Sequence, residues 1–440
     1  MQQDGYTVLQ NYRMNRAMIQ KVRPQDINVV IISHCHVDHV GLIPALFASG
    51  KCSARIIIPQ HSTPILKEMW MDSAYINSRD SDYLTCKTGK AVPPLFTEED
   101  VLSALQHVEE YDSHEIHKLE EGLSIRYIPA GHIMLSQQCE LFIGKSHIKK
   151  VLFTGDLGNI KIQERKYYVE PFEPVNTANI VIGECTYCQR GRNMSTKDLN
   201  KDLEKIRTVI NQYCVDYNRR VLIPVFSLDR TPYMLSIVYD LFGHDESFTV
   251  PVLVDSPLAI RLLWHYSSIL TGEQKKRFDE VLSWKNLRLI VDPEESKACI
   301  SEMGPKLVLS SSGMLTAGRS VRWVENFLPH DNDCILFCGY AGEDTLAYKI
   351  KNGKSQKTVS INGKAIKNRC QIVDLKSCSS HMQRDDLINY YKGIHCEKIY
   401  LVHGDMKYKP EFKADLEEAI RSHLRSTKVI AVNSSTSIAL

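Results

Sequence analysis

Short runs of aliphatic and β-branched residues alternate with amphipathic stretches almost from end to end of the chain. That alternation predicts strands and helices in turn, the pattern of an α/β protein. Strands are expected over residues 28–32, 54–58, 124–129, 151–154, 179–182, 221–225, 250–254, 287–291, 306–309, 334–338, 371–375, 399–402 and 429–432. Helices are expected over 40–48, 63–77, 98–109, 196–217, 232–242, 257–270, 272–282, 321–327, 384–391 and 410–424. Ser195 supplies an N-cap for the longest of these, with Asp198 in its first turn.

Four of the apolar strands run directly into a polar cluster: VVIIS into HCHVDH, IRYIPA into GH, VLFT into GD, and IYLV into HGD. Strand ends hold loop side chains in fixed positions, so clusters at several strand ends can converge on one site. More than half of the chain separates the third cluster from the fourth. A large segment is therefore inserted between parts of one site.

Composition adds limits. At 440 residues, 43% hydrophobic and 24% charged, the chain has the size for two ordinary domains. A net charge of +2 argues neither for nor against nucleic acid, since one basic cleft wall needs no basic protein. Thirteen scattered cysteines, no secretory signal in the first 30 residues and no membrane-length apolar stretch point to a cytoplasmic protein with free thiols. The pairs Cys185/Cys188 and Cys334/Cys338 lack a matching second pair of similar spacing. They read as buried thiols rather than a zinc site.

The run His34-Cys35-His36-Val37-Asp38-His39 carries the chemistry. Three imidazoles and a carboxylate in six residues are costly to bury unless something coordinates or neutralises them. His34 and His36 can face one side of the turn, and Asp38 and His39 the other, giving two adjacent half-sites. Imidazole with carboxylate suits zinc, with manganese or iron as the lesser choices. His132, Asp156 and His403 are each ambiguous alone: a core histidine, a turn aspartate, a loop histidine. Together they supply what a two-metal site still lacks.

The order HxHxDH, GH, TGD, VHG resembles the metallo-β-lactamase superfamily. The remaining motifs resemble its β-CASP nucleic-acid-processing branch, which includes the cleavage and polyadenylation nuclease subunit and ribonuclease J. Gly183-Glu184-Cys185-Thr186-Tyr187 is similar to that branch's first signature, Ser379-Ser380-His381 to its second, and His403 to its third. Further likenesses are IPVFS from Ile223, DSPLA from Asp255, SSGML from Ser311, and Gly339-Tyr340. They carry the match from about residue 25 to about residue 410.

The resemblance implies a four-layer αββα fold with an inserted α/β β-CASP domain. Residues 1–194 would be the first part of the metallo-β-lactamase domain, 195–355 the insertion and 356–440 the second part. It implies one zinc on His34, His36 and His132, a second on Asp38, His39 and His403, and Asp156 bridging both. The implied activity is that of an RNA-cutting hydrolase using a two-metal hydroxide mechanism, with 5′-phosphate and 3′-hydroxyl products. His381, oriented by Glu184, would protonate the leaving oxygen, and Asp38 belongs to both the catalytic and the metal set. Single-stranded RNA is the implied partner, with Arg230, Ser311, Ser312 and Gly313 as phosphate contacts. Any homodimer would use core surfaces.

The chain departs from the family pattern in places. In the family, an additional strand pair closes on an aspartate, and Met1-Gln2-Gln3-Asp4-Gly5 resembles the segment just after that aspartate. The chain is therefore expected to start just past it. A core sheet without those strands has a bare edge. Cys185 and Cys188 stand where serine and glycine are usual, Met382-Gln383 where alanine and aspartate are, and Asp229 where glycine is common. Competing readings are a DNA nuclease or small-molecule esterase on the same scaffold, and an inactive RNA-binding subunit. The large insertion and the Glu184/His381 signatures weigh against an esterase, and His403 weighs against DNA. All seven candidate ligands survive, which weighs against an inactive subunit.

Overall fold

The computed structural model of the chain describes residues 7–191, 193–353, 357–422, 426–433 and 436. The alternation of side chains along strand Arg55–Pro59 shows how its first half is layered. Ile56 and Ile58 pack with Leu66 and Trp70 of helix Thr63–Thr88, while Ile57 points the other way to Ile125 and Tyr127. Strands Val29–Ile31, Arg55–Pro59 and Val108–Tyr111 form a parallel three-stranded sheet with Arg55–Pro59 at its centre.

Facing it is a seven-stranded mixed sheet. Its order is Lys428–Ala431, Lys398–Val402, Ile180–Glu184, Lys149–Phe153, Gln137–Ile143, Leu123–Pro129, His117–Glu120. The Tyr127 hydroxyl spans the interface, donating to the carbonyls of Ile32 and Ile57, each at 3.0 Å. Helices Arg384–Gly393 and Lys409–Arg421 cover the outer face through Leu387, Tyr391, Phe412 and Leu416. The stack is helix, sheet, sheet, helix, as expected for the αββα arrangement.

Ile180–Glu184 pairs in parallel with Lys398–Val402, Glu184 opposite Val402, although more than 200 residues lie between them. Those residues build a third sheet, six strands all parallel. Its order is Leu287–Leu289, Val252–Asp255, Lys306–Ser310, Arg220–Pro224, Cys334–Phe337, Gln371–Asp374. Its central strands are buried throughout, as a parallel sheet with helices on both faces requires. Gln371–Asp374 lies past residue 355, so this sheet takes a strand from what the sequence assigns to the closing part of the first domain. The expected division at 355/356 itself, the segment 1–5 and the end of the expected helix 410–424 lie outside the described residues.

Other elements differ from expectation in extent. The helix expected to end at 77 runs to Thr88 and stops at Gly89, whose φ of 66° is the left-handed cap position. The stretch 98–109 divides into helix Glu98–Leu105 and strand Val108–Tyr111, and 40–48 into two short helices, Val37–Val40 and Pro44–Phe47.

Candidate metal centre

Ile32 ends the first strand's apolar run, and the next residues turn. His36 caps helix Val37–Val40, its carbonyl receiving the amides of His39 and Val40 at 3.0 Å each. This single turn brings the rings of His34, His36 and His39 together, His34 lying 4.1 Å from His39 and 5.0 Å from His36, centre to centre. The Trp70 indole donates to the Val40 carbonyl at 2.9 Å, fixing the turn to the long helix. His132 and Asp156 reach the same place because two loops cross at very close range. A Cβ on Gly158 would fall 1.9 Å from the Gly131 carbonyl oxygen, so only glycine fits there.

The predicted residues converge. His36 Nδ1 lies 3.2 Å from both His34 Nε2 and His132 Nε2. Asp156 Oδ2 faces His39 at 3.4 Å, His34 at 3.6 Å and His132 at 3.7 Å, while its Oδ1 faces His403 Nδ1 at 3.5 Å. His403 Nε2 meets Asp38 Oδ2 at 3.1 Å. Ligand atoms of His34, His36, His132 and Asp156 lie within 4.8 Å of one another, as do those of Asp38, His39 and His403. Asp156, Glu184 and His403 make a third such group. Among the described residues no cysteine belongs to one, and Cys185, Cys188, Cys334 and Cys338 are buried.

The set suits a divalent metal. Four ligands held tetrahedrally at about 2.0–2.1 Å would stand about 3.3–3.4 Å apart, close to the separations seen here. Asp156 Oδ1 and His39 Nε2 are buried without a hydrogen-bond partner, which is unfavourable unless a cation takes their lone pairs. Among the protein groups alone, burial and the neighbouring imidazole of His39 hold His34 well below its ordinary pKa, and burial with His381 does the same for His132. Burial takes His36 down to about 4. These three rings are neutral and offer lone pairs. Burial pushes Asp38 up, but the His403 hydrogen bond and the neighbouring His39 outweigh it and hold its pKa well below the usual carboxylate range.

Beside this cluster, Glu184 is clamped by the amides of Leu157 at 2.7 Å and Thr186 at 3.1 Å. Its Oε1 lies 3.4 Å from His381 Nδ1. Burial lowers the His381 pKa, yet the Glu184 carboxylate outweighs it and raises it above its ordinary value. The His381 ring lies 4.4 Å from that of His132 and 5.9 Å from that of His403, centre to centre.

The centre opens into a cleft of about 1920 Å³ between the two sheet systems, lined also by Arg230, Ser311 and Ser312. Gly313, expected with them, packs over the backbone of Val225 and Phe226. The opposite wall is helix Thr63–Thr88, where Tyr75, Arg79 and Tyr83 lie one turn apart along the cleft. Sequence reasoning missed this row because it ended the helix at 77. It also missed Lys166, a fully buried lysine paired with Asp229 at 2.6 Å, for which one sequence offers no signal. Thr186 of the Gly183–Tyr187 signature lies 2.8 Å from His403 Nδ1, a contact that only the fold reveals.

Comparison with known proteins agrees with this architecture. A model of the metallo-β-lactamase superfamily matches residues 9–209, one of the β-CASP domain matches 233–350, and one of the Zn-dependent metallo-hydrolase RNA specificity domain matches 365–425. The chain is 27% identical over 389 residues to ribonuclease TTHA0252 of Thermus thermophilus, covering 87% of this chain and 82% of that one. It is 26% identical over 395 residues to transcription termination factor FttA of Methanocaldococcus jannaschii, covering 87% of this chain and 59% of that one. It is 26% identical over 417 residues to endoribonuclease ysh1 of Schizosaccharomyces pombe, covering 92% and 50%. The chain thus spans only about half to three-fifths of the latter two.

Proposed function

Because the chain belongs to the metallo-β-lactamase superfamily, in its β-CASP branch, we propose that it hydrolyses phosphodiester bonds of single-stranded RNA at a two-zinc centre. The observation that carries this reading is the place of Asp156 at a cleft floor: it belongs to the donor group of His34, His36 and His132 and also faces His39 at 3.4 Å and His403 at 3.5 Å, with the Glu184–His381 pair alongside. His34, His36 and His132 would hold one zinc, Asp38, His39 and His403 the other, and Asp156 both. Neutral imidazoles with carboxylates favour zinc, with manganese the next candidate. When bound, the metals supply Lewis-acid activation of the attacking water and neutralise charge on the phosphoryl oxygens.

The protein's own groups do the rest. Glu184 holds the Nδ1 edge of the His381 ring and favours the protonated imidazole, whose Nε2 would deliver a proton to the departing 3′ oxygen. Proton delivery there leaves 5′-phosphate and 3′-hydroxyl ends. Tyr75 and Tyr83 are exposed in the cleft, suited to stacking unpaired bases at roughly 1–3 kcal/mol per base. Arg230, Ser311 and Ser312 on the inserted wall suit the phosphates. Relatives named ribonuclease and endoribonuclease support RNA over DNA. No helix among the described residues is long and apolar enough to cross a membrane.

The test is incubation with labelled single-stranded RNA and DNA, with and without chelator. RNA alone is cut, chelator abolishes cutting, and His381→Ala lowers the rate by at least about 10²-fold. Cleavage that survives chelation contradicts the proposal.

A further inference from the structure

We infer that Lys166, Asp229 and Ser380 form a positioning device through which the inserted domain holds the metal ligand His132 in its working orientation, an inference that rests on the metal-centre reading above. The three residues come from three parts of the chain. Lys166 follows the short turn Gln163–Arg165 of the first domain, Asp229 caps helix Arg230–Phe242 of the insertion, and Ser380 lies in the loop before His381. All three are buried, with 1%, 2% and 4% of their surface exposed.

Lys166 Nζ has three close polar neighbours, one an ion-pair partner and two hydrogen-bond acceptors. They are Asp229 Oδ1 at 2.6 Å, the His132 carbonyl at 2.6 Å and the Ser380 hydroxyl oxygen at 3.1 Å. The Ser380 hydroxyl in turn donates to Asp229 Oδ2 at 2.6 Å. The Ser380 carbonyl stands 3.3 Å from His132 Nδ1 and receives the Asn159 amide at 2.8 Å. His132 is thereby held at its backbone carbonyl and at Nδ1. With Nδ1 donating, Nε2 is the bare nitrogen, the one that faces His36 and Asp156.

Energetics argue against simple glue. Burying a lysine–aspartate pair typically stabilises no better than well-packed apolar residues would. Asp229 also holds φ at 64°, a conformation unfavourable for any residue but glycine. An arrangement carrying both costs is explained by what it orients. It links the insertion, which touches no ligand side chain through these residues, to the ring nitrogen of His132.

Zn²⁺ affinity, measured by competition with a chromogenic chelator, tests this in the full chain alongside the melting temperature of the metal-free protein. Lys166→Met/Asp229→Gly leaves no unpaired charge and relieves the strained backbone, so its metal-free melting temperature stays near wild type. Its Zn²⁺ affinity is expected to fall about tenfold or more, the range for lost partners of metal ligands. Ser380→Ala, which unpairs no charge, is expected to weaken binding severalfold without moving the melting temperature, and serves if the double variant does not fold. Unchanged affinity in a folded variant overturns the positioning role. Should wild type itself bind no Zn²⁺, or His34→Ala bind as wild type does, the metal-centre reading fails instead.

Discussion

His403 Nε2 and Asp38 Oδ2 lie 3.1 Å apart across 365 positions of sequence. The loops after strands Val29–Ile31 and Lys398–Val402 thus close one donor group between them, and Asp156, a member of the other group, faces its His39 at 3.4 Å and its His403 at 3.5 Å. Ligand substitutions therefore have unequal effects. Asp38→Ala or His403→Ala should lower metal content from about two per chain toward one. Asp156→Ala should reduce both. Elemental analysis of the purified variants checks this, and equal losses in all three contradict the division.

Glu184 raises the pKa of His381 against the effect of burial. A general acid works only while protonated, so the rate should fall as pH rises through that pKa. Glu184→Gln removes the carboxylate and lowers the pKa. The alkaline limb of the kcat profile then moves to lower pH. A limb that stays in place while the rate drops would assign Glu184 a different role.

Asp72 stands on the cleft helix, where burial, with help from Glu68 and against Arg261, raises its carboxyl pKa to about 6. The folded state then binds more protons than the unfolded chain between the ordinary value of 3.8 and about 6. Stability declines as pH rises through that window and does not recover above it. Asp72→Asn should melt higher than wild type at pH 7, with the difference gone below pH ~4. Melting curves at the two pH values decide it.

Arg220 and Asp333 anchor the inserted sheet. The Arg220 guanidinium meets Asp333 at 3.0 Å through Nε, donates to Asn326 at 2.7 Å and stacks over Phe327 at 4.4 Å. Both are fully buried. Arg220→Met leaves Asp333 charged with only the backbone amide of residue 220, at 3.3 Å, to meet it, which should cost about 3–5 kcal/mol in denaturant unfolding. A loss below about 1 kcal/mol would mean that water reaches the carboxylate.

Much of this was legible in one sequence because its signals are local. HCHVDH, GH, GD and HG each follow an apolar strand, and the strand supplies the pattern while the cluster supplies the chemistry. What stayed hidden depends on distant partners. Strand Gln137–Ile143 was not anticipated because three of its four buried positions, Gln137, Gln138 and Glu140, are polar. Gln138 is satisfied by the Glu173 carbonyl at 2.7 Å, and Glu140 by Arg126 at 2.6 Å and Lys150 at 2.5 Å. Helix Thr63–Thr88 outran expectation because its second half is mostly polar, one side exposed in the cleft. Lys166 carries no signal in sequence and Asp229 stands out only as a departure from glycine, so only the fold shows that their charges meet.

Anomalous diffraction from crystals grown with Zn²⁺, recorded at the zinc absorption edge, tests the account most directly. Two peaks about 3.5–4 Å apart are expected, one among His34, His36 and His132, the other among Asp38, His39 and His403, with Asp156 between them. Peaks lying elsewhere, or none at this cluster, would contradict it.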